Sequence, residues 1–374
     1  MKLLLIAVTA ALLTISARGE STPAENEIRR AVGQIKPDSG YREDGWWVWC
    51  TSIIGDDEGK FHMYASRWPK TLPMHPGWMV ASEVIHCVSD NVEGPYQFSD
   101  IALGDRGPQY WDGRSAHNPR IFHIGDEYVL FYMGSTHPFG DARENPEKVT
   151  LDSPYAIVGR ANKRIGVASS KSPYGPWKRL DRPVLDVKPG TYYSYLTSNP
   201  APWIEKDGSV TLIFKARRHL DKFPFHSAMM LGLATAPKYD GPYIVSGEKP
   251  LFGDGADNHW EVEDPCLWRD ERGYHMLAKD QQGKITGERG FGVLAHSPDA
   301  KKWTLDPSPT AYAKTFEMSD GSTFTYGQTE RANIIIQNGK PRALSFAVMD
   351  GRGGFSGGKN SWNIVVPLNG EKFR

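Results

Sequence analysis

Trp260-Glu261-Val262-Glu263-Asp264-Pro265-Cys266-Leu267-Trp268 runs into Arg269-Asp270-Glu271-Arg272-Gly273 and returns through Tyr274-His275-Met276-Leu277-Ala278. The stretch reads as an acidic lead-in, an apolar strand, a turn closed by glycine and a returning apolar strand. The same phrase recurs along the chain. Trp46 to Ile54, a turn over Gly55 to Gly59 and Lys60 to Ala65 give its first appearance. Pro119 to Ile124 with Tyr128 to Met133 give the second, and Ala201 to Glu205 with Ser209 to Lys215 the third. Ala332 to Gln337 with Arg342 to Phe346 give the fifth, after the opening stretch itself. The Asp264-Pro265 step has looser relatives at Asn118-Pro119 and Asn199-Pro200.

Each of the first four hairpins is followed by a second phrase of small residues, a Ser or Asp turn and an aromatic. Ile85 to Asp90 leads to Gly94-Pro95-Tyr96, and Ile165 to Ser170 to Gly175-Pro176-Trp177. Leu231 to Ala236 leads to Gly241-Pro242-Tyr243, and Phe291 to Ser297 to Lys302-Trp303. The fifth ends in a strand at Trp362 to Val366. Five repeats of one two-phrase unit, each worth three or four short strands, predict an all-β, five-bladed β-propeller rather than a sandwich. It forms one domain over residues 45–374, preceded by a leader over 20–44. Residues 1–19 read as a signal peptide: Lys2, an apolar run from Leu3 to Leu13, then Ser16, Ala17 and Gly19. That predicts an exported protein with no stable membrane insertion, since the run is too short to span comfortably.

Composition narrows the function. The 44 Lys and Arg balance 44 Asp and Glu, which argues against a general nucleic-acid binder. Glycine (38) and proline (27) are plentiful turn punctuation for many short strands. Cys50, Cys87 and Cys266 sit in apolar runs and read as buried free thiols, with a Cys50–Cys87 bridge as the alternative. His75, His117, His259 and His275 are scattered, so neither metal nor cofactor is expected.

In a propeller the first strand of each blade faces the axis, so residues that begin those strands converge. They are Asp44, Cys50 and Thr51, then His117 and Asn118, then Ser198 and Asn199. Blade 4 adds Glu261, Glu263 and Asp264, and blade 5 Gln328, Glu330 and Arg331. Strand alternation predicts Glu261 and Glu263 on one face and Asp264 on the other. A funnel with separated carboxylates suits glycoside hydrolysis, in which one carboxylic acid protonates the leaving oxygen and a carboxylate serves the anomeric side. Second-strand ends bring Arg67, Lys215, Arg217, Arg218, Lys279 and Asp280, a mostly basic group suited to an acidic saccharide. Loop aromatics, Trp260 and Trp78 among them, are candidates to stack on sugar.

With this repeat and the Glu263-Asp264-Pro265 strand start, the chain resembles the five-bladed β-propeller glycoside hydrolases of the family 43 superfamily, whose members include arabinanases, arabinofuranosidases, xylosidases and galactosidases. The resemblance covers residues 45–368 as architecture. It implies a carbohydrate substrate and three acidic residues: an aspartate base on the first strand of blade 1, an aspartate that tunes and orients, and a glutamate acid. The acid maps onto Glu263 with Asp264 beside it. The other two positions depart from the pattern, with Cys50 and Thr51 in blade 1 and Asn118 and Asn199 in blades 2 and 3. The resulting expectation is Glu263 as general acid and Asp264 or Glu330 as base. Asn118, Asn199, Arg331, His117, Arg67, Lys215 and Trp260 are expected to hold a plant or algal saccharide. A sugar-binding propeller without catalysis, and a glycoside phosphorylase with a basic phosphate pocket such as Arg67 with Lys215, are the alternatives.

Overall fold

The structure is a computed structural model that describes residues 25–252, 260–351 and 353–373. The signal-peptide segment 1–19 and His259 lie outside the described residues. Five antiparallel sheets form the blades of a propeller. Blade 1 is β1 (Trp46–Gly55), β2 (Phe61–Pro69), β3 (Glu83–Ser89) and β4 (Gln97–Leu103), paired in that order. Blade 2 is β5 (Ser115–Ile124), β6 (Glu127–Ser135), β7 (Arg164–Ser170) and β8 (Lys178–Arg179). Blade 3 is β9 (Leu196–Ile204), β10 (Val210–Arg217), β11 (Met230–Ala236) and β12 (Ile244–Val245). Blade 4 is β13 (Val262–Asp270), β14 (Gly273–Asp280), β15 (Gly292–Ser297) and β16 (Thr304–Tyr312). After a small hairpin, β17 (Thr315–Glu317) with β18 (Thr323–Thr325), blade 5 comprises β19 (Gln328–Gln337), β20 (Lys340–Met349) and β21 (Ser361–Pro367).

The first strands β1, β5, β9, β13 and β19 contact one another around the axis. Apolar side chains fill each seam between blades. Tyr64, Leu130 and Tyr132 close blades 1 and 2, Phe131 and Phe214 blades 2 and 3, and Ile213 and Met276 blades 3 and 4. Trp268 and Phe346 close blades 4 and 5. Met63 and Ile85 meet Ile335 and Val365 between blades 5 and 1. Burying each such side chain contributes about 1.5–3 kcal/mol, so each seam is a core in its own right.

Blade 5 has three strands of its own, and the chain's beginning covers its outer edge. Helix α1 (Glu27–Ala31), capped by the Asn26 side chain, packs Ile28 and Ala31 into the blade 4–5 seam. From there the leader runs along β21. Gly33 N donates to Pro367 O at 2.8 Å, and Tyr41 and Asn363 exchange backbone hydrogen bonds. Ser39 Oγ donates to Val365 O at 2.6 Å and accepts from Val365 N at 2.9 Å. Gly40 allows this approach: its φ is +76°, and a Cβ there would lie 2.0 Å from the Asn363 carbonyl oxygen. The segment read as a polar leader therefore completes the last blade and ties the two ends of the ring together.

Two further helices are inserted between strands of the blades. Helix α2 (Met74–Ala81) interrupts blade 1 between β2 and β3, and α3 (Pro154–Ala161) interrupts blade 2 between β6 and β7. They pack on each other through Met79, Val80, Tyr155 and Ala156. Ser153 caps α3 and Pro154 begins it, a start signal legible in the sequence. All three cysteines are buried and free, so the Cys50–Cys87 bridge does not form. Among the described residues no helix is long and apolar enough to cross a membrane.

Candidate active site

Every first strand carries a bulge at the same place, and the bulged residue is left-handed. Its φ is 42° at Cys50, 56° at Asn118, 49° at Asn199, 58° at Asp264 and 58° at Arg331. The register slips at each of these points. Asn and Asp tolerate this conformation well, which explains three of the five choices. The bulge also overrides the alternation expected along β13. An extra residue turns consecutive side chains toward the axis, so Glu263 and Asp264 both approach Lys279, at 3.2 and 3.7 Å.

The bulged side chains form a hydrogen-bonded chain around the axis, from Cys50 to Arg331. Cys50 Sγ donates to Asn118 Oδ1 at 2.8 Å, and Asn118 Nδ2 to Asn199 Oδ1 at 2.9 Å. Asn199 Nδ2 donates to Asp264 Oδ1 at 2.7 Å, and Arg331 Nη1 reaches the same oxygen at 2.6 Å. Burial pushes the Cys50 thiol up to about 12, so it stays a neutral donor. These five side chains line the throat of the propeller and form the floor beneath a cavity.

The residue before the bulge lines this cavity in four blades, as Trp49, His117, Glu263 and Glu330, whereas Ser198 of blade 3 donates its hydroxyl to Asn199 Oδ1 at 2.5 Å. The cavity has a volume of about 600 Å³, and its lining carries eight Lys and Arg side chains against two Glu. Lys279 Nζ lies 3.2 Å from Glu263 and 3.0 Å from Glu330. Glu263 also pairs with Lys215 and accepts from Gln281 Nε2. Burial alone raises a carboxyl, but Lys215, Lys279 and Arg331 together outweigh it and hold Glu263 well below the usual carboxylate range. At Glu330 burial wins: Lys279 opposes it, while Asp264 and Glu263 add to it, and the carboxyl is raised. Burial works against the charge on Lys279, yet Glu330, Glu263 and Asp264 hold it above its ordinary value.

The remaining walls differ in character. On the blade 1 side, Phe355 meets Trp49 edge-on and stacks on His75. Trp78 Nε1 donates to His75 Nδ1 at 2.9 Å, and its ring stacks on His117. Burial takes His75 down to about 3, and burial with Arg331 and Lys163 nearby takes His117 well below its usual value, so both rings are neutral. On the side of blades 2 and 3 stand Arg160, Lys163, Lys215 and Arg217, with Arg289 and Lys314 completing the cationic lining.

The structure thus gathers Glu263, Glu330, Arg331, His117 and Lys215 around one cavity, with Asp264, Asn118 and Asn199 in its floor. It places Arg67 elsewhere. Arg67 pairs with Glu43 and Glu83 at 2.6 and 2.9 Å and lies against Trp46 and Phe98. The position on β2 that matches Lys215 and Lys279 is Ser66, opposite Trp49, and one residue along a strand reverses the face. Trp260 stacks on Phe252 and packs into the blade 3–4 seam instead of lining the cavity. Asp44 is exposed in the turn before β1. Sequence reasoning passed over Arg160 and Lys163, which follow from α3 and its capping signal, and Gln281 and Phe355, which no local pattern marks. Among the described residues no group of three or more His, Cys, Asp and Glu side chains could hold a metal ion.

No family model matches the chain, and no curated protein matches it. Solved structures do. The chain is similar to Zg3597, a family 117 glycoside hydrolase from the marine bacterium Zobellia galactanivorans, with a TM-score of 0.60 at 16% identity over 90% of this chain and 89% of that one. It is similar to an endo-arabinase from Bacteroides thetaiotaomicron, with a TM-score of 0.55 at 12% identity over 90% and 98%. A thermostable family-43 glycoside hydrolase gives a TM-score of 0.57 at 12% identity over 91% and 95%. The chain shares the five-bladed propeller fold of these glycoside hydrolases.

Proposed function

We propose that the chain is an exported glycoside hydrolase acting on an acidic saccharide of the plant or algal type. The observation that carries this reading is the pair Glu263 and Glu330, set 3.2 and 3.0 Å from one lysine in surroundings that lower the first carboxyl and raise the second. Two carboxyl groups whose surroundings push them apart assign acid and base roles. On this ground the roles expected from sequence exchange places. Glu330 is the proton donor and Glu263 the ionised partner, because the lysines gather around Glu263. Asp264 is tied to Arg331 and Asn199 in the floor and positions both.

In the proposed reaction Glu330 gives its proton to the glycosidic oxygen as the bond from that oxygen to the anomeric carbon breaks. Positive charge grows at that carbon in an oxocarbenium-like transition state, and ionised Glu263 stabilises it. Water adds to the carbon and passes its proton to Glu263. The cationic lining supports an acidic substrate, since charge of one sign in a concave site concentrates ligands of the other. Incubation with sulfated and uronic-acid polysaccharides should release new reducing ends, and Glu330→Gln and Glu263→Gln should each abolish the release. A folded wild-type protein that releases none from any of them would overturn the reading.

A second reading, sugar binding without turnover, draws on blade 1, where Trp49 and the neutral thiol of Cys50 stand in place of a carboxylate. Calorimetric binding with no product after long incubation would select it.

A further inference from the structure

The positive charge of the cavity is unevenly matched. Lys215 and Lys279 face Glu263 and Glu330, whereas among the described residues the neighbouring wall has no such partner. Lys163 is 4% exposed and lines the cavity, yet among the described residues its ammonium makes no hydrogen bond or ion pair. It lies over the face of Trp78, with Nζ 3.9 Å from the ring centroid. The guanidinium of Arg160 likewise has no acceptor among the described residues. Arg217 spends one nitrogen on Ser227 O at 2.6 Å and on His226 Nδ1 at 2.9 Å. Buried cations are ordinarily paired, so an unpaired one facing an open cavity marks a place for an anion.

The wall is also built to hold its position. Lys163 N donates to Arg160 O at the end of α3, and Thr197 N on the neighbouring blade donates to Lys163 O. Asn162 Nδ2 donates to Thr136 O at 2.9 Å. Trp78, beneath the ammonium, is itself fixed by His75 and His117. We infer that Arg160, Lys163 and Arg217 form a seat for an oxyanion, either a sulfate or carboxylate borne by the saccharide or a free phosphate bound beside it. The inference rests on this cavity receiving the saccharide, and not on the cavity cleaving it.

Charge state supplies an independent signature. Burial first, then Arg160, Lys215, Arg217 and Arg331, hold Lys163 well below its ordinary range while no anion is present. An anion beside it restores the ammonium, so binding takes up a proton and weakens as pH rises.

The test is calorimetry on the full chain carrying Glu330→Gln, which keeps turnover out of the measurement. The probes are inorganic sulfate, inorganic phosphate, and sulfated and uronic-acid oligosaccharides beside their neutral counterparts. Saturable anion binding with proton uptake is expected, weakened roughly tenfold or more by Lys163→Met and by Arg160→Gln, the worth of one charge-assisted hydrogen bond. Lys163→Met should melt no lower than its parent, because it replaces a buried amine that has no hydrogen-bond partner among the described residues, and should lose the proton uptake. A charged oligosaccharide that outbinds its neutral counterpart and is displaced by inorganic sulfate identifies the anion as sugar-borne. Wild-type cleavage that occurs with phosphate alone identifies it as free phosphate. Unchanged affinity in both folded variants, or no saturable binding of any anion, would overturn the inference. A wild type that binds anions through Lys163 but cleaves nothing would remove the hydrolase reading and leave this one standing.

Discussion

Glu263 and Glu330 occupy matching places in consecutive blades, each one residue before a left-handed bulge, and differ only in their company. Glu263 meets two lysines and Gln281, whereas Glu330 shares a single lysine with two other carboxylates. This difference sets the expected pH dependence. The acid limb of kcat/KM, where Glu263 takes up a proton, should lie below the ordinary carboxylate range. The basic limb, where Glu330 loses its proton, should lie above it, and Glu330→Gln should remove that limb from whatever activity survives. A pH-rate profile on a soluble oligosaccharide reads both. Glu263→Gln should also destabilise the fold by about 3–5 kcal/mol in urea, since it leaves Lys215 without its buried partner. The sequence placed both glutamates at the axis but carries no mark of which holds its proton, because protonation depends on lysines from other strands. No local pattern reports that Lys279 reaches two blades while Arg67, on the matching strand of blade 1, faces away.

At the scale of the element, the bulged first strand is the device that repeats. The Asn-Pro and Asp-Pro steps announced it in blades 2, 3 and 4, where polar residues suited to the left-handed region precede a proline. Cys50-Thr51 and Arg331-Ala332 carry no such mark, and their bulges come from the shared geometry of the ring. The bulge also defeated strict alternation, which had separated Asp264 from Glu263. Asn199 tests the device. Asn199→Gly should cost about 1 kcal/mol for each hydrogen bond lost with Asn118 and Asp264. Asn199→Ala should cost about 1–2 kcal/mol more, since a Cβ is strained at φ 49°. Equal losses in chemical denaturation would show that the left-handed backbone is not what selects the residue. Helices α2 and α3 were harder to read, since each is a short insertion between two strands of a blade. Yet they supply His75, Trp78 and Arg160, and α3 leads directly into Lys163.

For the whole molecule, the repeat of hairpin and turn aromatic was enough to define five blades, because each unit carries its own apolar strands and punctuation. How the ring closes was not legible. The leader lacks the alternating pattern of a strand, and it joins β21 through a few backbone bonds, Ser39 and the close approach of Gly40. Gly40→Ala should therefore lower stability by about 1–3 kcal/mol, the cost of backbone strain at a site that cannot relax. Hydrogen exchange should show the loss of protection concentrated in β21 and the leader. Protection lost evenly over all blades would contradict closure by this segment.

The central claim is that Glu330 delivers the proton to the leaving oxygen, and leaving-group dependence tests it most directly. Steady-state turnover of wild type and Glu330→Gln should be compared on a natural oligosaccharide and on an aryl glycoside whose phenolate departs without protonation. The account predicts a loss of about 10²–10⁴-fold on the oligosaccharide, the worth of a general acid, and near-wild-type turnover on the aryl glycoside. An equal loss on both substrates, or none on either, would contradict it.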